Sequence, residues 1–174
     1  GFVVALGAIV AAGPARAGGP VTISQGYDPA VTDGEVVVDA TPDAVFAAFT
    51  DYRRWTEVMP DIARVEITDQ KANDAHVTLI SPTGHRDNLH FHNKPEARTI
   101  FFEDTGSRSS EVWAEIAFKR ADRGQTRIHL RLYAKVHELA TIVVRDGTVR
   151  SKREHIVTTD LTHIRDYFGR IAGR

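Results

Sequence analysis

Between Val112 and Lys135, apolar and polar side chains alternate so strictly that an antiparallel sheet with one dry face and one wet face is the natural host. Val112, Ala114, Ile116 and Phe118 fall on one side, and Trp113, Glu115, Ala117 and Lys119 on the other. Beyond the hairpin signal Arg123-Gly124-Gln125, Ile128, Leu130, Leu132 and Ala134 alternate with His129, Arg131, Tyr133 and Lys135. Each segment presents a single apolar face that another element must cover. The C-terminus supplies that cover. Val157, Leu161, Ile164, Phe168 and Ile171 recur at helical spacing, with Lys152, Arg153, Asp160, Arg165 and Asp166 off the stripe. Ser151-Lys152-Arg153-Glu154 fits a capping box and predicts a helix over 152–171. At 1.5 Å per residue it would run roughly 30 Å, enough to cross a sheet.

The run from Gly34 to Ile67 adds the other end of the fold. Val36, Val37 and Val38 favour a strand. Thr41-Pro42 then places a capping hydroxyl ahead of a proline at the first helical position, and Asp43 complements the positive helix end. Val45, Phe46 and Phe49 share one apolar face, continued by Tyr52, Trp55, Val58 and Met59. The valine strand Glu35–Asp39, the segment Ala40 to Phe46, and Asp51-Tyr52-Arg53-Arg54-Trp55 followed by Met59-Pro60 resemble the opening of the START-like (Bet v 1-like) superfamily, which includes polyketide cyclases and coenzyme Q-binding proteins. The resemblance implies an α+β helix-grip fold: a curved antiparallel sheet wrapped around a long C-terminal helix, short helices after the first strand, and an apolar cavity between helix and sheet.

Shorter strands are expected over 63–68, 75–81, 88–93 and 99–103, with turns at Asp69–Asp74 and Ser81–Gly84. The chain of 174 residues suits one domain, expected over 33–174 and preceded by a Gly- and Pro-rich leader at 18–32. Phe2 to Ala12 is apolar throughout and Ala15-Arg16-Ala17 resembles a cleavage site, so residues 1–17 are expected to be a signal peptide, truncated at its start. This implies an exported, periplasmic or secreted protein, soluble after cleavage. A net charge of −1 argues against nucleic acid as a partner. The absence of cysteine excludes disulfides, thiolate metal sites and a cysteine nucleophile.

No reactive constellation stands out. No serine lies in a G-x-S-x-G elbow, and the adjacent Glu103 and Asp104 would point to opposite faces of a strand. His90 and His92 share a strand face, but zinc would need a further ligand such as His76, His129 or Glu103. Their face is the wet one, where histidine needs no special reason, so no metal and no cofactor are expected. The basic cluster Arg145, Arg150, Lys152 and Arg153 sits against the helix dipole and hints at anionic headgroups near a cavity mouth; ordinary solvated charge is the simpler account.

Given the resemblance, the expected cavity lining is Phe46, Phe49, Trp55, Met59, Ile116, Phe118, Leu130, Leu132, Leu161, Ile164 and Phe168, almost wholly apolar. A monomeric, non-catalytic carrier of a lipid, isoprenoid or quinone-like molecule follows, admitting its ligand by movement of the helix or of Leu139–Val144, with transient membrane contact. A polyketide aromatase/cyclase is the alternative. It would need Asn88, His129, Arg131 or Tyr133 turned inward by a one-residue register slip. A protein-interaction module is the third reading, although the outward face shows no sticky patch.

Overall fold

Eight strands form one antiparallel sheet in the computed structural model, which describes residues 18–107, 110–136 and 146–173. The expected signal peptide and the Leu139–Val144 segment lie outside the described residues. The strands are β1 (Thr22–Gln25), β2 (Val31–Val38), β3 (Arg64–Gln70), β4 (Asp74–Ile80), β5 (Arg86–Lys94), β6 (Thr99–Asp104), β7 (Ser110–Arg120) and β8 (Thr126–Val136). Their order across the sheet is β1-β2-β8-β7-β6-β5-β4-β3. Helices α1 (Pro42–Thr50) and α2 (Trp55–Val58) follow β2, and the long α3 (Asp146–Ala172) closes the fold. This is the expected α+β helix-grip architecture.

Helix α1 begins as its sequence directs. Thr41 Oγ1 accepts from the Ala44 N–H at 3.4 Å, and Pro42 occupies the first turn. Asp43 pairs with Arg98, whose hydrogen bond, more than its charge, holds that carboxyl below the usual carboxylate range. The buried face of α1 rests on β7: Phe49 and Phe46 lie 5.2 and 6.1 Å from the Phe118 ring. Beyond it, Phe91 is fully buried, its ring within 4.7–5.3 Å of Tyr52, Phe102 and Trp55. Trp55 Nε1 donates to the Phe49 carbonyl at 2.9 Å, which fixes α2 against α1.

Three expectations change. The 18–32 leader contains β1, an edge strand that pairs Thr22 with Glu35 and Gln25 with Thr32. The long helix starts at Asp146, so Ser151 lies inside it and caps nothing. Glu154 instead accepts from Arg150 Nε, one helical turn earlier, and from Gln25 Nε2. Arg153 is not a headgroup-facing surface charge. It is 4% exposed and donates to Thr32 Oγ1 and to the Pro29 and Ala134 carbonyls, tying α3 to β2 and the end of β8.

Val157, Leu161, Ile164 and Phe168 are each almost completely buried, whereas Ile171 is 46% exposed because the helix has run past its cover. Close approach of α3 to β2 depends on Gly34. A Cβ there would strike Val157 Cγ1 and come within 2.7 Å of Leu161 Cδ1.

Candidate functional site

The inward face of the sheet does not have uniform relief. Along β7 it runs Phe118, Ile116, Ala114, Val112, so the bulky end fills the space beneath α1 and the small end leaves it open. At the open end lies a cavity of about 380 Å³. Trp55 and Met59 close one side, with Asp61 and Ile62 just beyond. Leu79, Leu89, Phe102, Val112 and Ala114 come from β4 to β7, and β8 adds Leu130, Leu132 and Ala134. Helix α3 completes the wall with Ile156, Asp160 and His163.

Of the expected lining, the structure brings Trp55, Met59, Leu130 and Leu132 to the cavity. Phe46, Phe49, Ile116 and Phe118 lie in the layer packed under α1. Leu161, Ile164 and Phe168 sit in the solid core. The reason is rotation. Residues 156, 160 and 163 keep the same four-then-three spacing as 157, 161 and 164, one position earlier and therefore about 100° around the helix. The strongest apolar stripe packs on the sheet, and its neighbour faces the cavity.

That neighbouring stripe is not apolar, which corrects the expectation of an almost wholly greasy wall. Ser81, Asp87 and Asp104 also border the cavity. Buried His163 Nδ1 has no hydrogen-bond partner among the described residues; the Asp61 carboxylate, 3.9 Å away, is too far to serve. Asp160 is pushed up to about 7, by burial first and by the Asp61 charge second. A carboxyl among hydrophobic stripe neighbours was the only sequence signal for this site. It reads equally well as an off-stripe surface charge.

The raised Asp160 carries a measurable consequence. From its ordinary value near 3.8 up to about 7, the folded chain holds a proton that the unfolded chain has released. Stability from this group therefore falls as pH rises through that window. Asp160→Asn keeps the neutral shape at every pH. Its advantage over the wild type in urea unfolding should be small near pH 4 and largest above pH 7; an advantage that does not vary with pH would contradict the assignment.

The register leaves the proposed enzyme residues outside. His129 and Arg131 face outward, where both meet Asp33 Oδ1 at 3.1 and 3.0 Å. Asn88 is also outward and accepts from Thr78 Oγ1 at 2.8 Å, while Tyr133 stacks on Trp113 at 5.2 Å. Farther along that outer face, His90 lies against His76 and His92, with ring centroids 4.1 and 4.0 Å away. Burial, followed by the charges of His92 and His76, lowers the His90 pKa.

Residues 29–169, nearly the whole described domain, match the family described as polyketide cyclase / dehydrase and lipid transport. The chain belongs to that family. Its fold is shared with the Zhui aromatase/cyclase from Streptomyces sp. R1128, at 17% identity and a TM-score of 0.67 over 83% of this chain and 93% of that one. A START superfamily protein from Mycobacterium smegmatis also has a TM-score of 0.67, at 11% identity over 81% of this chain and 98% of that one. Norcoclaurine synthase from Thalictrum flavum has a TM-score of 0.62, at 14% identity over 82% of this chain and 85% of that one. Such identities establish the shared fold of this family member and nothing about its ligand. No curated protein sequence matches the chain significantly. Among the described residues no helix is long and apolar enough to cross a membrane.

Proposed function

We propose that the protein binds a hydrophobic small molecule of the lipid, isoprenoid or quinone class in the cavity, as a carrier and not as a catalyst. The observation that carries this reading is a cavity of about 380 Å³, walled mainly by aliphatic and aromatic side chains, with Asp160 and His163 as its polar groups on α3 and Asp61, Ser81, Asp87 and Asp104 elsewhere along its border. That volume falls within the range of small-molecule sites. Burial of each ligand methylene contributes about 0.8 kcal/mol. Asp160, held largely neutral below pH 7, can donate a hydrogen bond, and His163 Nδ1, without a partner among the described residues, can take one. The ligand therefore carries an oxygen function at one end. Ile156, 45% exposed on the cavity wall, gives the mouth an apolar lip for brief membrane contact. The apolar run Phe2–Ala12 and the site Ala15-Arg16-Ala17 support an exported location.

Ala114→Trp tests the reading by filling the cavity from the sheet side. A fluorescent fatty acid should bind the wild type and bind the variant about tenfold or more weakly, because the indole takes the ligand's place. Native mass spectrometry after exposure to a mixed lipid extract should show a retained molecule on the wild type alone. An empty wild type in both measurements would overturn the proposal.

One observation favours the second reading, a cyclase-type enzyme. A carboxyl near 7 beside a histidine suits general acid–base work. Turnover of a poly-β-ketone that is abolished in Asp160→Asn, while ligand retention persists, would replace the carrier by the enzyme.

A further inference from the structure

The face of the sheet turned away from α3 carries a second cluster, assembled by strand register. Asp74 pairs directly with His92, His76 with His90, and His90 with Glu103 on the next strand. Alternation then places all five side chains on the same side. Asp74 Oδ1 lies 2.6 Å from His92 Nδ1 and 3.6 Å from His90 Nε2. One potential ligand atom from each of the three residues lies within 4.8 Å of the other two. The second nitrogen of His90, Nδ1, has Glu103 Oε1 at 3.8 Å, and the His76 ring is stacked on the His90 ring.

We propose that Asp74, His90 and His92 bind a divalent transition-metal ion of the zinc class, with Glu103 orienting His90. Tetrahedral zinc with bonds of about 2.0–2.1 Å holds its ligand atoms on the order of 3.4 Å apart. The observed separations reach this with small side-chain rotations. Two imidazoles and one carboxylate suit zinc and its neighbours, whereas magnesium and calcium prefer oxygen throughout. Three protein ligands on a half-exposed face leave a fourth position for water. A carboxylate behind a ligating histidine is the usual device that fixes its ring and tautomer. The third ligand is none of His76, His129 and Glu103, the partners expected from the sequence. The register supplies Asp74, from the turn end of the neighbouring strand. The ion would clamp β4 to β5, whose inward Leu79 and Leu89 line the cavity.

The test uses the full chain, stripped with a chelator and titrated calorimetrically with zinc chloride and, separately, with magnesium chloride. One zinc per chain should bind, with no comparable magnesium signal, and Co²⁺ should give the visible absorption of a low-coordinate site. His92→Gln and Asp74→Asn should each weaken zinc about tenfold or more, and Glu103→Gln about tenfold. His155→Gln, on the exposed side of α3, should leave zinc binding unchanged. All four positions are at least partly exposed, so circular dichroism should show folded variants. Absence of zinc binding, equal binding of magnesium, or zinc binding indifferent to His92→Gln and Asp74→Asn would each overturn the site.

Discussion

Gly34→Ala is expected to destabilise the protein by about 3 kcal/mol, near the upper end of overpacking costs. The position tolerates no side chain because the added methyl would strike Val157 Cγ1 and crowd Leu161 Cδ1, both on the buried face of α3. Neither neighbour has room to withdraw: Val157 and Leu161 are fully buried. The helix must lift from β2 or the sheet must bend, and either movement opens the packed stripe. Urea unfolding would show a lower midpoint with little change in slope. A double variant, Gly34→Ala with Val157→Ala, removes one clashing methyl and should recover part of the loss. Full stability in Gly34→Ala would mean that α3 does not approach β2 as closely as described.

The second large effect belongs to Arg153. Its guanidinium is enclosed and donates to three acceptors: Thr32 Oγ1, the Pro29 carbonyl and the Ala134 carbonyl at 3.1 Å. Burial lowers its pKa, but the group remains charged at any physiological pH. Arg153→Ala strands those acceptors and empties the space of a long side chain, at a cost on the order of 3–5 kcal/mol. Arg153→Lys keeps the charge but offers one ammonium where a fork reaches three directions, so it should recover only part of the loss. Hydrogen exchange should rise locally at Pro29–Thr32 and the end of β8, because those segments are held to α3 through this residue. Equal stability of Arg153→Ala and the wild type would remove Arg153 from this structural role.

Both residues illustrate how the chain's own periodicity misleads about position. Arg153 is off the apolar stripe and resembles a surface charge, yet it is buried because β2, β8 and the turn before β2 converge on it. Gly34 stands just ahead of the valine run in the sequence, yet it lies inside β2 and marks a close approach of helix to sheet. The aromatic stripe Phe46, Phe49 and Phe118 was legible as inward-facing but not as filled. Only its volume against that of Ala114 decides where solid core gives way to cavity. The polar groups on α3 were hidden for a similar reason. Asp160 is one residue from the strongest stripe, and one residue on a helix is about 100°.

The elements themselves were written in local order. Period two from Val112 to Lys135, period three-and-four from Val157 to Phe168, and the Thr41-Pro42 start of α1 each depend on neighbours a few positions away, so the sequence alone specified an antiparallel sheet, a long covering helix and their order. What the tertiary structure decided is which faces meet and how far apart. The rotation of α3, the void beside Ala114 and the gathering of Asp74, His90 and His92 all arise between segments distant in the chain. Periodicity states which side chains share a face; only the packing of whole elements sets what that face touches.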